Sequence, residues 1–246
     1  MTDAASPRKS VLVTGAGSGI GRDTAMLLAE SGYAVALAGR TLEKLEAAAA
    51  LVREEVRPEA EVLPIVADVT DRAAVDAAVQ QTVAAFGRLD AVVNAAGQAP
   101  LAAIERIQDA ELDACVDVNL KALVYLARAA WPAFRANGRE DAGVLVGISA
   151  MAIHTPHQKF SFYAAAKAGV EAFVANAATE GQRLGIRTYA VAPGAVETAL
   201  LRGNFSERAI PPEKALDPIS VAGVIHDLVT GEREEASGST IKLPSP

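Results

Sequence analysis

The chain alternates from end to end between short apolar runs and longer amphipathic ones, and this alternation restricts the fold more than any single residue does. The apolar runs are SVLVT, YAVALA, EVLPIV, LDAVVNAA, GVLVGIS, IRTYAVA and a last one near STIKL. Segments 18–31, 41–56, 71–86, about 109–136, 161–184 and 218–230 lie among them with helical periodicity. Short β-branched or aliphatic runs bounded by turn residues read as buried strands. Strand, helix and strand in this order join by right-handed crossovers, which set the strands parallel and the helices against the sheet. The expected fold class is α/β: a doubly wound parallel sheet of about seven strands with helices on both faces.

With 246 residues, one core can serve the whole chain, so residues 1–246 are expected to form a single domain. The hydrophobic fraction is 51% and the aromatic fraction only 4%. That balance suits small aliphatic side chains packed between helices and a buried parallel sheet. A formal charge of -7 without a basic cluster argues against nucleic acid as a partner. The lone cysteine, Cys115, cannot form an internal disulfide, so a reduced, cytoplasmic protein is expected. The opening MTDAASPRKS is too polar for a signal peptide, and no apolar run approaches the roughly 18 residues of a membrane span. The longest stretch without periodicity, 197–217, follows a strand end and reads as a lid-like loop over a ligand, or as an ordinary surface connection.

The segment VLVTGAGSGIGRDTAMLLAESG puts Gly15, Gly19 and Gly21 between the first strand and the first helix. Gly15 allows a sharp turn and Gly19 removes a side chain where a pyrophosphate would approach. The helix beyond presents free N–H groups and the positive end of its dipole. The reading is of a Rossmann-like dinucleotide site. At the end of the second strand, VALAGRT has Gly39 where a carboxylate would hold the ribose 2′-hydroxyl of NAD, and Arg40 follows it. Arg40 suits a bidentate contact with the 2′-phosphate of NADP, and Ser18 can add a hydroxyl. NADP(H) is therefore favoured over NAD(H); the alternative is a solvated arginine in an NAD enzyme.

The spacing TGxxxGxG, the NAAG of residues 94–97, Tyr163 and Lys167 in a YxxxK arrangement, and the PGAVET of residues 193–198 together resemble the short-chain dehydrogenase/reductase family over about residues 10 to 200. The resemblance implies an oxidoreductase that transfers a hydride between a nicotinamide cofactor and a carbonyl or secondary alcohol. It implies further cofactor contacts: Ile20 in the glycine loop, Asp68 on the adenine amino group with Val69 beside it, and Asn94, Ala95, Ala96 and Gly97 where the cofactor backbone passes. Pro193, Gly194, Val196 and Thr198 match the segment that contacts the nicotinamide carboxamide. The family commonly forms dimers or tetramers on its two long helices, so a homodimer or homotetramer is expected, although the end SGSTIKLPSP lacks the usual Gly-Gly segment.

Tyr163 and Lys167 stand at i and i+4, hence on one helical face. A tyrosine hydroxyl with a pKa of about 10 transfers protons reluctantly at neutral pH, and a neighbouring ammonium is expected to lower that value. By the resemblance, Lys167 also holds the nicotinamide ribose and Asn119 supports a proton path. Tyr163, Lys167, Asn119 and Ser149 are the candidate catalytic residues. His154 and His157 lack a third ligand, so no metal is expected.

One position departs from the family pattern. The catalytic serine normally stands thirteen residues before the tyrosine, and here that position is Ala150, with Ser149 beside it. Adjacent side chains on an extended backbone face opposite ways, so Ser149 faces away unless a bulge re-aims it. Three outcomes stand open: Ser149 serves through a bulge; Thr155, Ser161 or His154 serves instead; or the site is a poor catalyst with a sensor or scaffold role. An NAD-dependent polyol or hydroxy-acid dehydrogenase is the alternative among enzymes. The pocket lining, including Met151, Phe160 and Phe162, leaves the substrate unspecified.

Overall fold

The computed structural model describes residues 8–246, so residues 1–7 of the polar N-terminal stretch lie outside the described residues. Seven strands form one parallel sheet among the described residues: β1 (Ser10–Thr14), β2 (Ala34–Gly39), β3 (Val62–Val66), β4 (Ala91–Asn94), β5 (Val144–Ile148), β6 (Arg187–Pro193) and β7 (Thr240–Leu243). Their order across the sheet is β3-β2-β1-β4-β5-β6-β7. β1, β4 and β5 are buried throughout, as the unbroken apolar runs imply. β3 is an edge strand, which accommodates Pro64 with its missing N–H.

Successive strand residues serve opposite layers, because the side-chain period of a strand is two. Val11 and Val13 pack with Leu28 of α1 (Gly19–Glu30), Leu45 of α2 (Leu42–Leu51) and Ile225, while Leu12 turns to Val75 of α3 (Arg72–Phe86), Leu123 and Val170. Helices therefore cover both faces, as expected. The stretch from 109 to 136 is one bent unit: α4 (Asp109–Val116), a π-helical turn over Asp117–Lys121, and α5 (Ala122–Ala136). The long α6 (Ser161–Gly181) carries Tyr163 and Lys167, and Ile225 belongs to α8 (Pro218–Thr230).

The segment 197–217 is more ordered than the sequence suggests. It holds α7 (Ala199–Asn204) and a short 3₁₀ turn over Pro212–Lys214. Six residues are too few to display a 3.6-residue period, so this helix is invisible to pattern reading. It forms because Thr198 caps it, its hydroxyl accepting from the Leu201 N–H. Arg202 then binds the segment together, donating to Glu197 Oε1 at 2.7 Å and to the Ile210 carbonyl at 2.8 Å. The segment reaches across the sheet's end: Asn204 donates to the Ala99 carbonyl at 2.9 Å, and Phe205 stacks on Phe160 with ring centres 6.2 Å apart.

Strand order reverses between β1 and β4, and a crevice opens at the carboxyl ends of such a pair. Thr14 and Asn94, the last residues of these two strands, lie side by side in register.

Candidate active site

At the strand reversal, the Thr14 hydroxyl donates to Asn94 Oδ1 at 2.7 Å and accepts from the Ala96 N–H at 3.3 Å. The end of β1 is thereby tied to the NAAG segment. Gly15 has φ of +66°, and a Cβ there would stand 2.8 Å from the Ala96 nitrogen. A Cβ on Gly21 would stand 2.5 Å from the Gly15 carbonyl oxygen. Both glycines are required by close backbone approach. Ser18 occupies the N-cap of α1 without using its side chain as a cap, so its hydroxyl stays available beside the free N–H groups of the first turn.

These residues line a cavity of about 310 Å³ that extends to Gly39, Arg40, Lys44, Asp68 and Val69. The donor set fits a dinucleotide: free helix N–H groups for a pyrophosphate, two cations at the far end, and a carboxylate. Asp68 Oδ1 accepts from the Thr70 N–H and hydroxyl at 2.9 and 2.8 Å. Those bonds hold its pKa below the usual carboxylate range, with Arg40 adding to the effect. Arg40 itself makes no salt bridge among the described residues. Lys44, from the first turn of α2, closes over Gly17, where an added Cβ would lie 2.9 Å from its own Cβ. Lys44 escaped the sequence reading; its signal is a second cation four residues after Arg40.

A second cavity of about 790 Å³ adjoins the first, and Ile20, Ala95, Gly97, Gln98, Thr198 and Leu200 line both. Tyr163, Lys167 and Asn119 line the second cavity with Met151, Phe160 and Phe205, whereas Phe162 packs behind it against Cys115 and Ala166. Pro193, Gly194 and Val196 complete its wall on the β6 side. The candidate site residues therefore gather around one continuous cleft, except Asn94, which is buried behind it and bonded to Thr14.

Tyr163 is 9% exposed and packs edge-on against Phe160, with ring centres 5.8 Å apart. Its hydroxyl has no hydrogen-bond partner among the described residues. Lys167 is 4% exposed and donates to the Ile148 carbonyl at 2.7 Å. Its Nζ lies 5.9 Å from the Tyr163 ring centre. Burial dominates both groups. It raises the Tyr163 pKa above the ordinary phenol value, with the Cys115 side chain a smaller contributor, and it lowers Lys167 to about 8. The lowering of the tyrosine by its lysine neighbour, expected from sequence, is not realised in the free protein, because desolvation outweighs an ammonium directed at Ile148. Burial also raises the Cys115 thiol, which keeps this floor of the site uncharged.

Asn119 sits in the π-helical turn and is 1% exposed. Such turns concentrate at functional sites because they redirect one residue within a helix. The Asn119 amide donates to the carbonyls of Gln98 and Cys115 at 2.8 and 2.9 Å, and its oxygen accepts from the Gln98 N–H at 3.3 Å.

Ser149 does not face Tyr163. Its backbone continues the strand, with its N–H donating to the Val191 carbonyl at 2.7 Å, and Ala150 stays extended at φ −158°, ψ 145°. No bulge intervenes, so the two side chains alternate. Ala150 packs against Tyr163, Phe162, Ala166 and Cys115. Ser149 turns toward α6, where its hydroxyl donates to Glu171 Oε1 at 2.8 Å. His154 Nε2 lies 3.2 Å from the same oxygen. The geometry thus corrects the expectation that Ser149 aims a hydroxyl at the substrate; it tethers the end of β5 to α6. Thr155 donates its hydroxyl to the Met151 carbonyl at 2.9 Å, and Ser161 is exposed at the start of α6. Glu171 went unread in the sequence, although its position four residues after Lys167 puts it on the same helical face. Ser149→Ala is expected to lower stability by about 1–3 kcal/mol, visible as a fall in the urea midpoint. A loss of turnover without that fall would contradict the tether.

A family model described as short chain dehydrogenase matches residues 9–209. The chain belongs to this family. The chain is 35% identical over 219 residues to an uncharacterized oxidoreductase of Staphylococcus aureus (strain N315), covering 88% of this chain and 89% of the relative. It is 38% identical over 198 residues to levodione reductase of Leifsonia aquatica, covering 80% of this chain and 73% of that protein. Among solved structures, the crystal structure of levodione reductase superposes on this chain with a TM-score of 0.87 and 31% identity, with 96% of each chain covered. A 3-ketoacyl-(acyl-carrier-protein) reductase from Brucella melitensis, complexed with NADH, gives 0.86 and 27%, again over 96% of each chain. The chain is thus an oxidoreductase by family, with the Rossmann-like fold. Among its described residues, no helix is long and apolar enough to cross a membrane.

Proposed function

We propose that the protein reduces neutral carbonyl compounds with NADPH. The observation that carries this reading is the placing of Tyr163 and Lys167, both buried, in the wall of the larger cavity, which shares part of its lining with the nucleotide cleft. The cleft would hold a nicotinamide dinucleotide, which when bound would supply a hydride. Tyr163, kept protonated by burial, delivers the proton to the substrate oxygen. Lys167 would hold the cofactor's ribose and stabilise the tyrosinate left behind, and Asn119 fixes the main chain at Gln98 and Cys115. Arg40 and Lys44, with Gly39 in the position of the expected carboxylate, support the 2′-phosphate and hence NADP(H).

The larger cavity is lined chiefly by aliphatic and aromatic groups, with no carboxylate and Lys167 as its one lysine or arginine. This supports an uncharged, largely apolar substrate, and the likeness to a levodione reductase supports a ketone. Leu112 on α4 and Val124 on α5 are 37% and 36% exposed, which supports a homodimer or homotetramer through these helices. The second reading, a cofactor-bound sensor with weak turnover, is favoured by Ala150 in the serine position. Loss of NADPH absorbance with a panel of cyclic and open-chain ketones decides between the two. Cofactor binding with no turnover on any of them selects the sensor.

The free protein's Lys167 also sets a pH dependence. At pH 7 the ammonium form prevails, and it is lost as the pH rises through about 8. Reductive kcat/KM, which reports the free enzyme, is therefore expected to be level near pH 6–7 and to fall above about 8. A profile that rises through that range would assign Lys167 another role.

A further inference from the structure

We propose that the Gln98 carboxamide replaces the missing serine hydroxyl as the donor to the substrate oxygen. The inference rests on the reductase reading above and concerns how its transition state is held. A carbonyl gains negative charge on oxygen as hydride arrives, and a fixed donor beside Tyr163 stabilises that charge. Ala150 cannot donate, and Ser149 is engaged with Glu171.

The other polar groups of the larger cavity are accounted for one by one. Thr155 donates to Met151, Thr198 donates to Val196 while capping α7, Asn204 donates to Ala99, and Ser245 is bonded to Ala195. His157 and Gln158 lie on the exposed side of the cavity and do not reach the nucleotide cleft. Of the six residues that line both cavities, Thr198 and Gln98 alone have polar side chains, and only the Gln98 carboxamide lacks a partner among the described residues. The backbone of Gln98 is fixed on both sides by Asn119, which accepts from its N–H and donates to its carbonyl. The anchored backbone fixes the point from which the carboxamide reaches the junction where hydride and substrate must meet.

The test uses the full-length protein with NADPH and the best ketone from the panel, and compares Gln98→Met and Gln98→Glu with the parent. Both variants keep the side chain's length and remove its N–H donors. Each is expected to lower kcat by about 10²–10³-fold, with NADPH affinity, read by thermal shift, altered far less. Ala150→Ser is expected to raise kcat at least about tenfold more in the Gln98→Met background than in the parent, because the two donors serve one oxygen. Retention of kcat within about threefold in Gln98→Met, which has no donor in either protonation state, overturns the assignment. Equal gains from Ala150→Ser in both backgrounds also overturn it. In either case Tyr163→Phe still lowers turnover by about 10²-fold or more, and the reductase reading survives; if the parent turns over no ketone, that reading fails and takes this assignment with it.

Discussion

Tyr163→Phe is expected to lower reductive turnover by about 10²–10⁴-fold, the range over which a positioned proton donor acts. The change removes one oxygen and little else. The Tyr163 hydroxyl bonds to nothing among the described residues, so its loss orphans no buried partner, and the ring keeps its edge-on contact with Phe160. The variant should therefore unfold at the same urea concentration as the parent and bind NADPH with an affinity within a few-fold. Single-turnover measurements at saturating NADPH separate this loss of chemistry from any loss of binding. A variant that retains more than about a tenth of the activity would remove Tyr163 from the proton path and favour the sensor reading.

Replacing both Arg40 and Lys44 with alanine is expected to shift the cofactor preference away from NADPH by about 10–100-fold, with NADH little affected. Charge-assisted hydrogen bonds are worth about 1.5–3 kcal/mol each, and about 1.4 kcal/mol is tenfold in affinity. Arg40 is exposed and makes no salt bridge among the described residues, so its removal breaks none there. The contribution is electrostatic and should shrink at high salt. Titration of the parent and the double variant with both cofactors at low and high ionic strength measures it. Equal loss for NADH and NADPH would mean that the two cations serve the shared diphosphate instead.

The sheet was legible because each of its strands is a separate apolar run; the strand order was not, because it depends on contacts between runs far apart in the chain. The offset of the serine was legible too: a count from Tyr163 places Ala150, and strand alternation predicts that Ser149 faces away, as it does. What receives Ser149 was not legible. Glu171 lies 22 residues further along, and only the packing of β5 on α6 brings the two together. Lys44 and Gln98 were overlooked because each flanks a recognised motif and owes its importance to a cavity wall. Helix α7 was hidden by its brevity, and the π-helical turn at Asn119 by its continuity with its neighbours, since both sides of it have the same helical pattern.

The bond from Lys167 to the Ile148 carbonyl has a bearing on how the chain tolerates insertions and deletions. Ile148 and Ser149 are pinned to α6 at consecutive residues, the first through its carbonyl and the second through its hydroxyl, while the Ser149 N–H is held by β6. A one-residue slip that brought Ser149 to the place of Ala150 would break all three bonds and turn every preceding side chain of β5 to the opposite layer. A shift in the register of β5 is therefore a change to the strand, the lysine and the core together, whereas a residue gained or lost in the exposed loop at 155–159 can be absorbed there. A hydroxyl can return to this site by substitution at position 150, and not by a slip of the strand.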